Sequence, residues 1–456
     1  MRILITGATG LIGREIGQRL AARGDTLVCL VRDPVADRAR LPFPCERHAW
    51  DHGKDVPAQA LAGVDAVIHL AGDPIADGRW SAAKKARVLD SRVEGTRRLV
   101  RAVLDHGAGV KAFVHGSAIG FWGDRGDEVV DATSARGDGF LADVATKWEA
   151  ELAPLANRPG LRVPVVRTGV VLTRDGGALP EMLPAFRLGL AGRLGDGRAW
   201  MSWIHLEDIV GLFLHALDRA GSGVLEGVAP GAATNAEFTR ALCASLAVRE
   251  GPPAPAIALK AAFGEKADLV LGSTRVAPTA TLASGYAFRF ARLADAMNDL
   301  LSPQRDGTRL RRWAQWLPHP PEALWPFYGD AKNLEAITPP FLHFQVLGQS
   351  TPQTRQGTRF EYRLKLNSIP FGWRTLISSW EEPRRFVDVQ ESGPFALWEH
   401  THDFEPLAGG TLVRDTVRYR LPGGWFGAAL GGFKVDADVG RIFAFRARAV
   451  DERFGR

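Results

Sequence analysis

The sequence is short of the residues that mark several common classes of protein. Its 456 residues include only three cysteines, Cys29, Cys45 and Cys243, and no two of them form a CxxC pair. This argues against a disulfide framework and a cysteine zinc site, and it favours a reducing compartment. No apolar run reaches the roughly 20 residues of a membrane-spanning helix, and the first residues do not have the pattern of a signal peptide. We therefore expect a cytoplasmic protein with no membrane span.

Charge of one sign is not concentrated anywhere in the chain. The net charge of +6 is spread over alternating basic and acidic residues, without a long block of lysines and arginines. A nucleic-acid-binding chain usually carries such a block, so we expect no nucleic-acid partner. The hydrophobic content of 46% is that of an ordinary globular protein, and a chain of this length predicts at least two domains.

The start of the chain carries its most informative pattern. A short apolar strand leads into three glycines, which allow a tight turn, a close approach of backbone N–H groups to a pyrophosphate, and close packing of a helix on the strand. The helix that follows would point its positive end at the phosphates. The pattern predicts a dinucleotide-binding loop. Its predicted binding residues are Gly7, Thr9, Gly10, Leu11, Ile12 and Gly13.

The end of the second strand indicates which dinucleotide is favoured. Thr26 to Val31 is typical of a buried parallel strand, and Arg32 and Asp33 follow it. An acid at this place holds the ribose hydroxyls of NAD(H), whereas an arginine offers a planar cation to the 2′-phosphate of NADP(H). We therefore favour NADP(H) over NAD(H). The alternative is that Asp33 is the ribose-binding acid, shifted by one residue.

Strands and helices continue to alternate along the first part of the chain. The next strand ends in Leu70, Ala71 and Gly72, whose backbone would border a cofactor lying across the carboxyl end of the sheet. A long helix is predicted over Ala82–His106, and another strand follows it. This alternation predicts an α/β fold with a doubly wound parallel sheet. The glycine-rich stretch from Gly176 to Gly197 is expected to be a loop, either a lid or a solvated surface loop.

Several motifs resemble the extended short-chain dehydrogenase/reductase superfamily. They are TGATGLIG at 6–13, HLAG at 69–72, GSAIGFWG at 116–123, RTGVVL at 167–172 and SWIHLED at 202–208. More narrowly, DPIA at 73–76 and the segment 264–288 resemble the "epimerase family" subgroup, whose Rossmann portion is closed by a small domain of unknown function. The resemblance covers residues 1–301. It implies a Rossmann-type NADP-binding domain with a substrate lobe over 173–301, a closing segment over 252–301 and a small-molecule substrate.

The resemblance also implies a catalytic tyrosine, and no tyrosine occurs where it is expected. The superfamily normally uses a Tyr-x-x-x-Lys pair on one helix. The four tyrosines of the chain are Tyr286, Tyr328, Tyr362 and Tyr419. Lys147 matches the lysine position, and Asp143 stands four residues before it. The i, i+4 spacing of the two residues is typical of a plain helix salt bridge. The alternative, functional interpretation is that Asp143, or a water beside it, performs proton transfer.

Ser117 is the best match to the superfamily's catalytic Ser/Thr, which hydrogen-bonds the substrate oxygen. Counting back from Gly123 instead places that position one residue later, on Ala118.

Three functions remain open from the sequence. The first is an NADP(H)-dependent reductase or epimerase that acts on a hydroxyl or keto group. The second is a non-catalytic NADP(H)-responsive regulatory protein, since some proteins of this type are described as cell-division inhibitors. The third is a lipid carrier in which the Rossmann unit is only a scaffold.

The alternation of strands and helices stops at a predicted linker over 302–309. A strand, a helical segment, six further antiparallel strands and a long carboxyl-terminal helix are predicted over 310–456. A sheet wrapped around one long helix is an α+β helix-grip arrangement. The order of elements resembles the START/polyketide-cyclase-like (SRPBCC) superfamily, which implies an apolar ligand in an enclosed cavity.

Two histidines of this second domain, His400 and His402, alternate on one predicted strand and would face the same side. Two histidines alone make a poor metal site, and the sequence around them shows no matching cysteine or carboxylate cluster. We therefore expect no metal.

Overall fold

The computed structural model describes residues 1–366 and 369–455, and the chain divides into two compact units. The first unit comprises Met1–Pro34 and Cys45–Ser302, and the second comprises Val35–Pro44 and Pro303–Arg456. The short segment between the second and third strands of the chain therefore belongs to the second unit. Among the described residues, no helix is long and apolar enough to cross a membrane.

The first unit is built on a seven-stranded parallel sheet. The strands of this unit are β1 (Arg2–Thr6), β2 (Thr26–Val31), β3 (Glu46–Ala49), β4 (Ala66–His69), β5 (Ala112–Ala118), β6 (Val129–Val130), β7 (Pro164–Thr168), β8 (Val170–Leu172), β9 (Trp200–Met201), β10 (Trp203–His205), β11 (Gly223–Gly227), β12 (Ala233–Thr234) and β13 (Arg275–Val276). The sheet has the order β11-β7-β5-β4-β1-β2-β3, and every neighbouring pair in it is parallel. The predicted doubly wound α/β sheet is confirmed.

Helices cover this sheet and form the lobe that follows it. They are α1 (Leu11–Ala22), α2 (Ala82–His106), α3 (Phe140–Ala150), α4 (Ala178–Arg187), α5 (Leu206–Asp218), α6 (Asn235–Leu246), α7 (Ala256–Phe263), α8 (Asp268–Leu271), α9 (Thr279–Ala283) and α10 (Leu293–Leu301). The central strands are buried along nearly their whole length, which explains why they consist of continuous apolar runs rather than alternating ones.

The stretch from Gly176 to Gly197 is not the plain loop that its glycines predicted, because it contains α4. The ten residues of α4 include no glycine, and the glycines stand only on its flanks. Leu183 and Phe186 on this helix are buried in the core of the lobe. Apolar burial thus forms a helix between two glycine-rich turns.

A buried carboxylate attaches the last part of the first unit to its sheet. Glu226 on β11 is fully buried. Its Oε1 accepts a hydrogen bond from Ala132 N–H at 2.8 Å, and its Oε2 accepts one from Thr281 N–H at 3.0 Å. A buried charge is tolerated where several donors satisfy it, so Glu226 holds α9 against β11.

The second unit is an antiparallel sheet with one long helix. Its strands are β14 (Arg309–Leu317), β15 (Gln345–Gln349), β16 (Arg359–Leu366), β17 (Ile369–Glu381), β18 (Arg385–Ser392), β19 (Leu397–Leu407) and β20 (Gly410–Arg420), and its helices are α11 (Pro321–Gly329) and α12 (Gly424–Phe454). The strand order is β14-β20-β19-β18-β17-β16-β15. The predicted helix-grip arrangement is confirmed, while the predicted linker begins as a 3₁₀ segment over Ser302–Gly307.

The long helix α12 is fixed on the sheet by aromatic and charged contacts. The rings of Trp313 and Phe443 stack with centroids 3.9 Å apart, and Val439 and Val450 are buried beside the sheet. The segment Val35–Pro44 joins the same helix, since Arg38 makes two 2.7 Å contacts with the carboxylate of Asp451. These contacts define the space between the helix and the sheet.

Candidate functional site

The glycine loop leaves no space for a side chain at two of its three glycines. A Cβ atom on Gly13 would lie 2.3 Å from the carbonyl oxygen of Gly7, and one on Gly7 would lie 2.8 Å from the carbonyl carbon of Leu70. Gly7 also has a φ angle of 71°, which glycine adopts at little cost. Thus β1, α1 and the segment after β4 meet backbone to backbone, and the start of α1 is held at the carboxyl edge of the sheet.

No side chain of the described residues caps the start of α1. Gly10 is the N-cap residue, and the first turn contains no acidic residue. The loop from Thr9 to Ile12 is at least partly exposed. Unpaired N–H groups and the helix dipole together favour an anion at such a place. The residues predicted to bind the pyrophosphate therefore fit that group.

A hydrogen-bond chain fixes the segment Leu70–Gly72 after β4. The hydroxyl oxygen of Thr6 accepts the backbone N–H groups of Leu70 and Ala71, both at 3.1 Å. Its hydrogen is thereby left for His69 Nδ1, 2.6 Å away, so the neutral ring carries its proton on Nε2, near Thr96 Oγ1 at 2.8 Å. Burial is the main cause that lowers the pKa of His69 to about 3. His69 is a neutral structural residue here.

Arg32 is exposed directly after β2. Because β2 pairs with β1 in parallel register, Arg32 lies at the same carboxyl edge of the sheet as the glycine loop. Within the described part of the chain its guanidinium has no hydrogen-bond or ion-pair partner. A guanidinium without a protein partner at this edge is available to a phosphate.

Ser117 belongs to a buried polar group at the carboxyl ends of β5 and β7. Its hydroxyl donates a hydrogen bond to Glu149 Oε1 at 2.6 Å. Glu149 also accepts Arg167 Nε–H at 2.9 Å and Nη2–H at 2.8 Å, and the Arg167 guanidinium lies 3.3 Å from the ring centroid of Phe121. We call Ser117, Glu149 and Arg167 the Ser117 cluster. The sequence motifs include Arg167, but nothing in them indicated that it would pair with Glu149.

The other two predicted catalytic residues lie on the exposed side of α3. Asp143 forms an ion pair with Arg136 at 2.6 Å, and not the helix salt bridge with Lys147 that the i, i+4 spacing predicted. Lys147 is exposed, whereas Ser117 is only 5% exposed. A residue that contacts a cofactor is also exposed when the cofactor is not bound. The catalytic roles of Ser117, Asp143 and Lys147 stay a prediction.

The second unit contains an apolar cavity of about 250 Å³, lined by the sheet and α12. Its walls are mostly aromatic and aliphatic, and they include Phe360, Trp373, Phe386 and Trp398. Cavities of this kind, with a few polar groups, are typical ligand sites. The resemblance to the START/polyketide-cyclase-like superfamily implied an enclosed apolar cavity, but it did not indicate the polar floor, which is the part of the wall lined by charged and imidazole side chains.

The polar floor consists of Asp388, His400, His402 and Arg446. Asp415 contacts His400 and Arg446, and we call these five residues the histidine cluster. His400 Nε2 lies 2.8 Å from Asp415 Oδ1, and His402 Nε2 lies 3.3 Å from Asp388 Oδ2. The expectation that no carboxylate accompanies the histidines is wrong. In the strand register, Asp388 pairs with His400 and Asp415 pairs with His402. Spacing along the sequence does not indicate these pairs, because the partners stand on different strands.

The histidines of this cluster differ in their electrostatics. Burial lowers the pKa of His400 to about 4, with the nearby His402 as a further cause. Burial opposes the charged form of His402 as well, but Asp388 and Asp415 outweigh it and raise the pKa of His402. Burial alone would raise the pKa of Asp415, but the two histidines and Arg446 hold it well below its usual range. The cluster therefore pairs two carboxylates with two cations.

Comparison with known proteins gives matches to three families along the chain. Residues 3–146 match the NAD dependent epimerase/dehydratase family, and residues 254–300 match a domain of unknown function, DUF1731. Residues 317–444 match the family of polyketide cyclase / dehydrase and lipid transport proteins.

Individual relatives align with the first two thirds of the chain. The epimerase family protein SDR39U1 of Bos taurus is 38% identical over 310 residues, which cover 66% of this chain and 100% of that protein. The crystal structure of human SDR39U1 (isoform 2) with NADPH is 37% identical, has a TM-score of 0.59 and covers 66% of this chain and 99% of that one. The structure of a nucleoside-diphosphate sugar epimerase from Corynebacterium glutamicum is 32% identical and has a TM-score of 0.54. The match covers 66% of this chain and 58% of that one.

We expect Glu149→Gln to destabilise the first unit far more than a matched change on the surface. The substitution removes the charge that pairs with Arg167, which is only 4% exposed, and leaves a buried cation poorly paired. The loss should be about 3 kcal/mol in the free energy of unfolding. Chemical denaturation followed by circular dichroism measures it.

Glu151→Gln is the control for this change. Glu151 also makes a two-contact pair with an arginine, Arg97, but half of that arginine side chain is exposed. Its loss should cost less than about 1 kcal/mol. Equal losses in the two variants would contradict the buried role of the Ser117 cluster.

Proposed function

The chain belongs to the epimerase family that includes SDR39U1, and from this membership we propose that its first unit is an NADP(H)-binding enzyme of the reductase or epimerase type. It acts on a hydroxyl or keto group of a small molecule. One observation carries the proposal. The start of α1 and the guanidinium of Arg32, which have no side-chain partner among the described residues, lie at the same edge of one sheet. They offer two anion-binding groups, one for the pyrophosphate of a dinucleotide and one for a 2′-phosphate.

Different residues of the chain would bind different parts of the cofactor. The glycine loop holds the pyrophosphate through backbone N–H groups, and Leu70 to Gly72 border the rest of the dinucleotide at the end of β4. Arg32 selects the 2′-phosphate. When bound, the nicotinamide supplies hydride transfer. The relative crystallised with NADPH supports NADP(H), while NAD(H) is the less favoured cofactor.

We expect Arg32→Ala to weaken NADPH binding by about 10- to 100-fold, because one charge-assisted contact to the 2′-phosphate is lost. NADH binding should change little, since NADH has no 2′-phosphate. Isothermal titration calorimetry of the purified full-length chain with each cofactor measures both.

Arg101→Ala is the control, because Arg101 is an exposed arginine on α2 and its removal changes the net charge equally. It should leave both affinities unchanged. A wild-type chain that binds neither cofactor would overturn the proposal, and equal losses for NADPH and NADH would assign Arg32 a role other than selection.

The hydrogen bonding of the Ser117 cluster favours a second candidate function. The hydroxyl hydrogen of Ser117 is already donated to Glu149, and no tyrosine stands on α3. Both features suit an NADP(H)-responsive regulatory protein that binds the cofactor without turnover, such as a factor linked to cell division. The two functions differ in one measurable property, which is consumption of NADPH.

If the enzyme proposal holds, NADPH absorbance should fall when the wild-type chain is mixed with a member of a panel of aldehydes, ketones and nucleotide sugars. Ser117→Ala and Lys147→Ala should lower kcat by at least about 10-fold, and Ser117→Ala should leave the NADPH affinity within about twofold. Lys111→Ala removes an exposed lysine outside the site and serves as the control. Tight NADPH binding without turnover of any panel member would favour the regulatory function.

We further propose that the second unit binds an apolar small molecule in its cavity and presents it to, or stores it for, the first unit. The aromatic lining and the match to polyketide cyclase and lipid transport proteins support this.

Val439 lies on the cavity wall and is 3% exposed, so Val439→Phe should fill part of the cavity. We expect this variant to bind a dansylated fatty acid at least about 10-fold more weakly than wild type, as measured by fluorescence titration. Leu347→Phe makes a similar change at an exposed position outside the cavity and should bind like wild type. Equal affinities in all three proteins would place the ligand elsewhere.

A further inference from the structure

We propose that Asp388, His400 and His402 form a binding site for a divalent transition-metal ion at the polar floor of the apolar cavity in the second unit. The ion's remaining coordination positions would be open to the cavity. This inference is independent of the cofactor proposal, because it concerns the second unit alone.

Two of the three separations among the candidate ligand atoms are already close to those that a shared ion requires. Asp388 Oδ2 is 3.3 Å from His402 Nε2 and 3.5 Å from His400 Nδ1, and the three atoms lie within 4.8 Å of one another. With metal–ligand distances of about 2.1 Å, neighbouring ligand atoms are separated by about 3.0 to 3.4 Å. Small side-chain adjustments would therefore complete the site.

Asp415 holds both histidines from their other nitrogens. His400 Nε2 is 2.8 Å from Asp415 Oδ1, in hydrogen-bonding geometry. His402 Nδ1 is 3.0 Å from the same oxygen, although it is not well aligned for a hydrogen bond. A carboxylate that accepts the second N–H of a metal-binding histidine is a recurring feature of metal sites, because it fixes the tautomer and the ring orientation. Asp415 is thus a positioning residue, not a ligand.

The strand register makes this arrangement rigid. Asp388 on β18 pairs with His400 on β19, and His402 on β19 pairs with Asp415 on β20. Three adjacent strands of one sheet therefore supply all four side chains, and the ring of Phe386 stacks on His402 with centroids 4.0 Å apart. Sites built on strands keep their geometry better than sites built on loops.

The charges of the histidine cluster also suit a cation. With both imidazoles neutral, as ligands must be, two carboxylates contribute −2 and Arg446 contributes +1, which leaves −1. Arg446 Nη1 contacts Asp415 at 3.3 Å, so its positive charge is offset by the carboxylate that is not a ligand. Two imidazoles and one carboxylate select zinc or ferrous iron over calcium or magnesium, which prefer all-oxygen ligands.

The experiment is a Co²⁺ titration of the full-length chain after removal of metals with a chelator. We expect uptake of about one ion per chain with visible absorption bands of nitrogen and oxygen ligands, and without the charge-transfer band that a cysteine ligand would add. Metal analysis after dialysis against Zn²⁺ or Fe²⁺ then distinguishes the two natural candidates.

Three variants test the assignment of the residues. Asp388→Asn and His402→Gln should weaken Co²⁺ binding by more than about 100-fold, and Asp415→Asn by about 10- to 100-fold with shifted absorption bands. His106→Ala removes an exposed histidine of α2 and should bind like wild type. Circular dichroism identifies any variant that does not fold.

The Co²⁺ titration of the wild-type protein alone can overturn the proposal. Absence of Co²⁺ uptake, or uptake with a thiolate band, would show that the histidine cluster is a metal-free ion-pair network. Unchanged binding in folded Asp388→Asn or His402→Gln protein would also overturn it, because the ion would then be bound elsewhere.

Discussion

Backbone-to-backbone contact among β1, α1 and the segment after β4 is the constraint on which the first unit depends. It exists only because Gly7 and Gly13 have no Cβ atoms, since either atom would overlap a neighbouring backbone. The contact holds the start of α1 at the carboxyl edge of the sheet, beside the ends of β2 and β4. The exposed start of α1, the Arg32 side chain and the Ser117 cluster all stand along this edge. One steric condition therefore positions groups that come from distant parts of the chain.

Strand register has the corresponding role in the second unit. Alternation places the side chains of His400 and His402 on the same face of β19, and the neighbouring strands place one carboxylate opposite each of them. Burying four ionisable side chains beside an apolar cavity is costly unless each is paired. The register supplies those pairs, so the cavity can be apolar on its walls and polar at one end.

Local patterns predicted much of the fold, and pairing between distant residues accounts for what they missed. Local patterns predicted α2 over its full length, the alternation of strands and helices in the first unit, and the long last helix of the second unit. The glycine flanks of α4 were misleading, because the helix depends on burial of Leu183 and Phe186 rather than on local preference. Asp388 was missed for a similar reason, since its partner is defined by register and not by spacing along the chain.

If the first unit is a reductase, as we propose, its reaction depends on the source of one proton. Reduction of a keto group requires a proton for the substrate oxygen. The Ser117 hydroxyl has one hydrogen, and Glu149 accepts it, so in this arrangement the serine can accept a hydrogen bond from a substrate hydroxyl but cannot donate one. Since α3 carries no tyrosine, our prediction is that Asp143, or a water beside it, would supply the proton for such a reaction. Substrate binding that separates Ser117 from Glu149 would free the serine to donate, and that rearrangement would distinguish an enzyme from a protein that only binds the cofactor.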